Sequence, residues 1–77
     1  MRHHLKTLPD AWSAVNDGSK RAELRWNDRN YQTHDILALC EWKPETGYTR
    51  RTLQVVVTHV FDCAAIGLPG WVLLSID

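Results

Sequence analysis

The sequence has no surplus of charge of either sign, few cysteines and no long apolar run. Nine lysines and arginines balance nine aspartates and glutamates among 77 residues. No overall positive field therefore draws the chain onto nucleic acid, and any such site must be local. No stretch approaches the ~20 apolar residues of a membrane span, and no apolar segment follows the charged start as in a signal peptide. These absences predict a cytoplasmic protein without a membrane anchor.

Cysteine is scarce, and its positions do not form a disulfide scaffold. Cys40 and Cys63 lie in or beside apolar segments, where cysteine usually behaves as a small core residue, so we expect reduced thiols. His59 and Asp62 lie close to Cys63, but a structural zinc site needs about four ligands. The sequence therefore predicts neither a metal nor a cofactor.

The length and composition indicate one folded unit. A chain of 77 residues holds a single core, which predicts one domain over residues 1–77. The 44% hydrophobic and 23% charged content is that of an ordinary globular protein.

One short amphipathic helix is predicted after an opening segment of no clear type. Thr7 and Asp10 have the spacing of a capping box, and Gly18 is a suitable terminator. The apolar stripe between them follows the helical period. It consists of Leu8, Ala11, Trp12 and Val15.

The rest of the chain reads as strands, at 21–26, 36–42, 52–61 and 71–76. In the first strand, alternation assigns Ala22, Leu24 and Trp26 to the core and the charged residues to the other face. Asp35, just before the second strand, is assigned a structural role. Several short strands with one or two short helices predict a mainly β fold. A small barrel is expected, because closure removes exposed sheet edges.

The densest polar cluster lies between the helix and the first of these strands. Arginine supplies a donor fork for phosphate, lysine a compact charge, and glutamate an acceptor for an amine or hydroxyl. These residue types suit a nucleotide, but a merely solvated strand face would have the same composition. Both interpretations stay open on spacing alone. The cluster comprises Lys20, Arg21, Glu23 and Arg25.

The same residues carry a resemblance. Gly18, Lys20, Glu23 and Arg25 spell G-x-K-x-x-E-x-R, and the chain resembles the ASCH domain superfamily, in particular its short bacterial and phage members. The resemblance covers nearly the whole chain. It implies a PUA-like β-barrel in which the motif lines a cleft between barrel and helix that binds RNA or a nucleotide.

The resemblance also suggests an enzymatic alternative. Some ASCH-like proteins are amidohydrolases that act on an acetylated cytidine, with a threonine three residues after the motif lysine. That position is Glu23 here, and a carboxylate does not replace an activated hydroxyl nucleophile. The sequence therefore favours recognition without catalysis. A hydrolase of a modified nucleoside and a phage or mobile-element accessory protein that binds another protein remain the alternatives.

Further candidate ligand contacts lie outside the motif. The resemblance places Arg29 near the mouth of the cleft and Lys6 in the opening segment, where Lys6 either faces the cleft or is solvated. Trp42 and Tyr48 flank a polar hairpin loop and are predicted to stack on a base, since aromatic rings are the usual platforms for unpaired bases. The other tryptophans are assigned to the core: Trp12, Trp26 and Trp71.

Overall fold

The computed structural model describes residues 1–77 as a five-stranded sheet with one α-helix and a short 3-10 turn. The elements in chain order are β1 (Arg2–Thr7), α1 (Pro9–Asn16), β2 (Ala22–Trp26), β3 (Ile36–Lys43), β4 (Gly47–Asp62), the 3-10 turn (Cys63–Ile66) and β5 (Trp71–Ile76). The prediction of a mainly β fold with one or two short helices is confirmed. The opening segment, which had no clear pattern, forms β1.

The strand order is β1-β3-β4-β5-β2. β1 runs parallel to β3, and the other neighbours are antiparallel. β4 has 16 residues and changes partner along its length: its first part pairs with β3 and the part from Val57 onward pairs with β5. The register shifts between Val57 and His59. One long strand is thus shared by both halves of the sheet.

The sheet stays open where a closed barrel was expected. β1 and β2 are its two edges, and no backbone ladder joins them. They are bridged instead by a hydrogen bond of 3.4 Å from Arg25 Nη2 to the Lys6 carbonyl oxygen. Between the two edges lies an open cleft, which is lined by charged side chains of β2 and by residues of β1 and α1.

The hydrophobic core lies between the sheet and α1. Trp12 anchors the helix, because its indole N–H donates a 2.9 Å hydrogen bond to the Leu39 carbonyl oxygen. Strand β2 contributes no residue to the core, although it carries the sequence motif. The cluster consists of Leu5, Trp12, Val15, Tyr31, Leu37, Leu39, Val55, Val57, Val72, Leu74 and Ile76.

The start of α1 corrects the predicted capping box. Thr7 is the last residue of β1, where it pairs opposite Glu41 of β3, and its hydroxyl donates to the Leu5 carbonyl oxygen at 3.2 Å. Leu8 is the N-cap and makes no capping hydrogen bond through its side chain, and Pro9 opens the helix. Pairing in the sheet therefore overrides the capping preference of Thr7, while proline suits the first helical turn.

Candidate functional site

Strand β2 presents the opposite face to the one predicted. Glu23 is buried, whereas Leu24 and Trp26 are both 54% exposed, so the assignment of Leu24 and Trp26 to the core is wrong. Trp71, also assigned to the core, is 38% exposed. The inversion has a physical cause: Glu23 is satisfied by ion pairs in the gap between the sheet edges, and a buried charge with such partners is tolerated.

Glu23 is the centre of the motif. Lys20 Nζ lies 2.6 Å from Oε1, while Arg25 places Nε at 3.0 Å and Nη2 at 2.9 Å from Oε2. Lys20 also donates to the Ala22 carbonyl oxygen. Both carboxylate oxygens are therefore engaged. Glu23 fixes the positions of two cations, and hydrogen bonds to charged groups of this kind are among the stronger ones in proteins.

These charges line a cleft of ≈ 330 Å³ between β1, α1 and β2. It holds three cationic side chains and one carboxylate, so its local charge is positive although the chain as a whole is neutral. The cleft is lined by Lys6, Thr7, Leu8, Ala11, Lys20, Glu23, Leu24 and Arg25. Three predicted site residues of the motif and Lys6 thus meet at one place.

The turn after α1 positions Lys20. Gly18 has φ +85°, in the left-handed region that glycine enters most easily. Its backbone N–H donates to the Val15 carbonyl oxygen at 3.1 Å, and the Lys20 N–H donates to the Ala14 carbonyl oxygen at 3.0 Å. The glycine of the motif therefore reverses the chain, and the lysine two residues later returns to the end of the helix.

Arg21 and Arg29 lie outside this cleft. Arg21 precedes β2, and its Nη1 lies 3.4 Å from Asp77 Oδ1. It lines a separate cleft together with Lys20, not the one around Glu23. Arg29 lines a neighbouring cleft of ≈ 230 Å³. Lys6 and Arg25 line both clefts, so the bridge between the sheet edges separates the two.

The aromatic pair predicted to stack on a base lies at the β3–β4 hairpin. Trp42 and Tyr48 are opposite each other in the ladder, and Tyr48 is 63% exposed. Trp42 is half-buried, and Lys6 Nζ lies 4.3 Å from its ring centroid, a distance typical of a cation–π contact. Neither ring lines the ≈ 330 Å³ cleft.

A buried polar cluster that the sequence did not single out surrounds Asp35. Its Oδ2 lies 2.8 Å from His3 Nε2 and accepts from the Gln32 backbone N–H at 3.0 Å, while Oδ1 accepts from the N-terminal amine at 2.9 Å. The hydrogen bond with His3, followed by that of the N-terminal amine, lowers the pKa of Asp35 to about 2. The Tyr31 and His3 rings are in edge-to-face contact, with their centroids 4.9 Å apart. The structural role assigned to Asp35 agrees with these contacts.

No group of three or more histidine, cysteine, aspartate or glutamate side chains is placed to hold a metal ion. Cys40 and Cys63 are both free. None of the helices is long and apolar enough to span a bilayer.

The exposed face of β2 and the Asp35 cluster are the features that sequence reasoning missed. Alternation in β2 was visible, but it defines two faces without saying which is inside. Burial of His3 and Asp35 had no signal, because the partners lie far apart in the sequence. The one hint was Tyr31, a lone aromatic residue in an otherwise polar segment.

Comparisons with known proteins identify a matching family model and a phage relative. A family model described as "Domain of unknown function (DUF3850)" matches residues 2–76. The "Uncharacterized 12.9 kDa protein in GpA 3'region" of Escherichia phage P2 is 38% identical over 60 residues. These residues make up 78% of this chain and 54% of the phage protein, so the chain spans about half the length of that relative.

Proposed function

This chain belongs to the family described as domain of unknown function DUF3850, and we propose that the cleft around Glu23 binds RNA or a modified nucleoside. The proposal includes a relationship to the ASCH domains and their PUA-like fold, supported by the motif of Gly18, Lys20, Glu23 and Arg25. The observation that carries it is the pairing of Lys20 and Arg25 with one buried carboxylate, in a cleft that Lys6 also lines and in a chain without net charge.

Arg25 is the principal recognition group of the proposal. Its Nε and Nη2 atoms contact Glu23 and the Lys6 carbonyl oxygen, whereas Nη1 makes no hydrogen bond in the chain. A guanidinium has five N–H donors in a rigid fork. The donors on Nη1 are therefore free for a phosphate oxygen or the acceptor edge of a base, and Glu23 holds the fork in place.

Lys20 and Lys6 supply the remaining positive charge. Lys20 is partly exposed while it is ion-paired to Glu23, so its ammonium can contact Glu23 and a bound phosphate at once. Lys6 is exposed on the other wall. The volume of ≈ 330 Å³ lies at the small end of ligand sites, which are roughly 300–1,000 Å³. That size suits one nucleotide unit.

The geometry favours binding over bond cleavage. Glu23 stands where the hydrolase branch of the ASCH-like proteins has its threonine, and both of its oxygens are held by Lys20 and Arg25. A carboxylate held in this way positions cations and does not attack an acyl carbon. The proposal places the protein in the cytoplasm, where RNA is available and where its two free cysteines stay reduced.

The test is titration of a labelled short RNA, followed by fluorescence polarisation, with the wild type, Lys20→Ala and Lys43→Ala. Lys43 is the matched control, because it is an exposed lysine that makes no ion pair and lies outside the cleft. We expect Lys20→Ala to weaken binding at least about tenfold and to lower the salt slope by about 1. Lys43→Ala should match the wild type.

A parallel titration with modified nucleosides, read by tryptophan fluorescence, covers ligands too small to be labelled. Far-UV circular dichroism establishes that Lys20→Ala is folded. Failure of folded wild-type protein to bind any RNA or nucleoside would overturn the proposal. Equal losses in Lys20→Ala and Lys43→Ala would also overturn it, because they would indicate a diffuse charge effect.

A further inference from the structure

The outer face of the β2–β5–β4 half of the sheet carries large apolar side chains. Leu24 lies opposite Leu73, and Trp26 lies opposite Trp71. Leu73 also pairs with Phe61 of β4. Partners in an antiparallel ladder share one face of the sheet, so these five residues, here called the outer apolar face, form a continuous surface. All five are between 37% and 54% exposed.

The extent of this surface matches that of a protein interface. With about 150–250 Å² for each complete aromatic side chain, and somewhat less for leucine, the exposed fractions correspond to roughly 400–500 Å² of apolar area. A standard interface buries about 800 Å² on each partner, of which roughly 57% is non-polar. The outer apolar face therefore supplies about the apolar area that one side of a stable dimer needs.

The face also lacks charge. The next cross-strand row contains Ala22, Ser75 and His59, which bring no lysine, arginine, aspartate or glutamate to it. Since the chain as a whole has no net charge, two copies meet without long-range repulsion. The absence of cations argues against nucleic acid as the occupant, because phosphate binding needs them.

The aromatic part of the face is already ordered. Trp26 and Trp71 are in edge-to-face contact, with centroids 5.7 Å apart. The ring of Trp26 lies directly against Gly70, where an added Cβ would be 2.4 Å from the ring. An exposed ring that is held in one position loses little conformational freedom on binding, which favours its use as an anchor.

We propose that the outer apolar face is a homodimer interface and that its occupant is a second copy of this chain, related by a twofold axis. A twofold interface uses the same patch on both subunits, and an uncharged apolar patch complements itself. Glu23 and Arg25 lie on the other face of β2, and the dimer reaches the motif clefts only at their rims, through Leu24 and Trp26. The inference does not rest on the proposed RNA function.

The experiment is light scattering coupled to size exclusion, with the wild type, Leu73→Glu and Val56→Glu. The wild type should have a mass near twice 8.9 kDa when it is loaded at about 100 µM, well above a micromolar Kd. Leu73→Glu places a carboxylate on each side of the interface and should raise the dissociation constant at least about tenfold. Val56→Glu should remain dimeric, because Val56 is as exposed as Leu73 but lies in the half of β4 that pairs with β3.

Leu24→Glu is the second variant, to be used if Leu73→Glu fails to fold. It should be tolerated, since β2 contributes nothing to the core. A wild type that is monomeric at every concentration would overturn the proposal, as would a Leu73→Glu protein that is as dimeric as the wild type. A wild type that is monomeric and that loses RNA binding in folded Leu73→Glu would identify RNA as the occupant of this face.

Discussion

At the scale of single residues, the most constrained group is the carboxylate of Asp35. It is buried and contacts His3, the Gln32 backbone and the N-terminal amine. It joins β1 to the loop that precedes β3. A carboxylate whose charged form is hydrogen-bonded in the folded state stabilises that state only while it is ionised.

Asp35→Asn should lower the free energy of unfolding at neutral pH by about 1–3 kcal/mol, because it removes the charge from buried hydrogen bonds. The folded-state pKa of Asp35 is about 2, below its ordinary value of 3.8. The contribution of the ionised group is therefore complete above about pH 4 and is lost as the pH falls towards about 2. Urea unfolding across this range should show the two proteins converging. Parallel curves would contradict the assignment.

Leu24 and Leu74 lie on opposite faces of the sheet. Leu74 is fully buried and Leu24 is 54% exposed. Leu74→Ala should lower the free energy of unfolding by about 2–5 kcal/mol through the cavity that it leaves. Leu24→Ala should cost less than about 1 kcal/mol. Urea unfolding at low protein concentration, where the proposed dimer is dissociated, makes the comparison. Similar losses would mean that Leu24 is in the core after all.

At the scale of elements, the link between α1 and β2 sets the geometry of the site. The helix ends at Asn16, Gly18 reverses the chain, and the Lys20 ammonium contacts the Glu23 carboxylate. Nothing packs within 4 Å of the position that a side chain on Gly18 would begin from. The requirement for glycine there is therefore one of backbone conformation alone.

Gly18→Ala should lower the free energy of unfolding by about 1–2 kcal/mol, because the left-handed conformation is unfavourable by this amount for a residue with a Cβ. Gly18→Asn should cost less, because asparagine tolerates the same backbone angles. Thermal unfolding gives both values. If the two variants are equally stable, strain at this φ is not what makes glycine necessary.

At the scale of the whole molecule, the predictable parts were those with local patterns. The helix stripe gave the burial of Trp12 and Val15, and strand β5 begins and ends as the sequence indicated. The orientation of β2 could not be obtained, since ion pairs with Lys20 and Arg25 reverse the usual preference for leucine inside. Strand β1 could not be obtained either, because its partner β3 lies far along the chain and two of its inward residues, His3 and Thr7, are polar.

The candidate site was predicted in part for the same reason. The motif identified Lys20, Glu23 and Arg25 as one group, and the structure places them in contact. The spacing of the motif did not predict the position of the Arg21 side chain, because Arg21 lies just before the first residue of β2. The exposure of Trp26 depends on the pairing of β2 with β5, which the sequence does not indicate.

The pairing of β2 with β5 has a consequence for how the protein assembles. Strand β2, which carries the motif, pairs with the last strand of the chain. Its ladder joins Ala22 to Ser75 and Trp26 to Trp71. Contacts between distant parts of a chain form late, because closing the long loop between them lowers the conformational entropy of the chain. The ladders of β1, β3 and the first part of β4 do not involve β5, whereas the motif cleft needs β2 to be docked on β5. The motif cleft is therefore complete only when the carboxyl-terminal strand is in place.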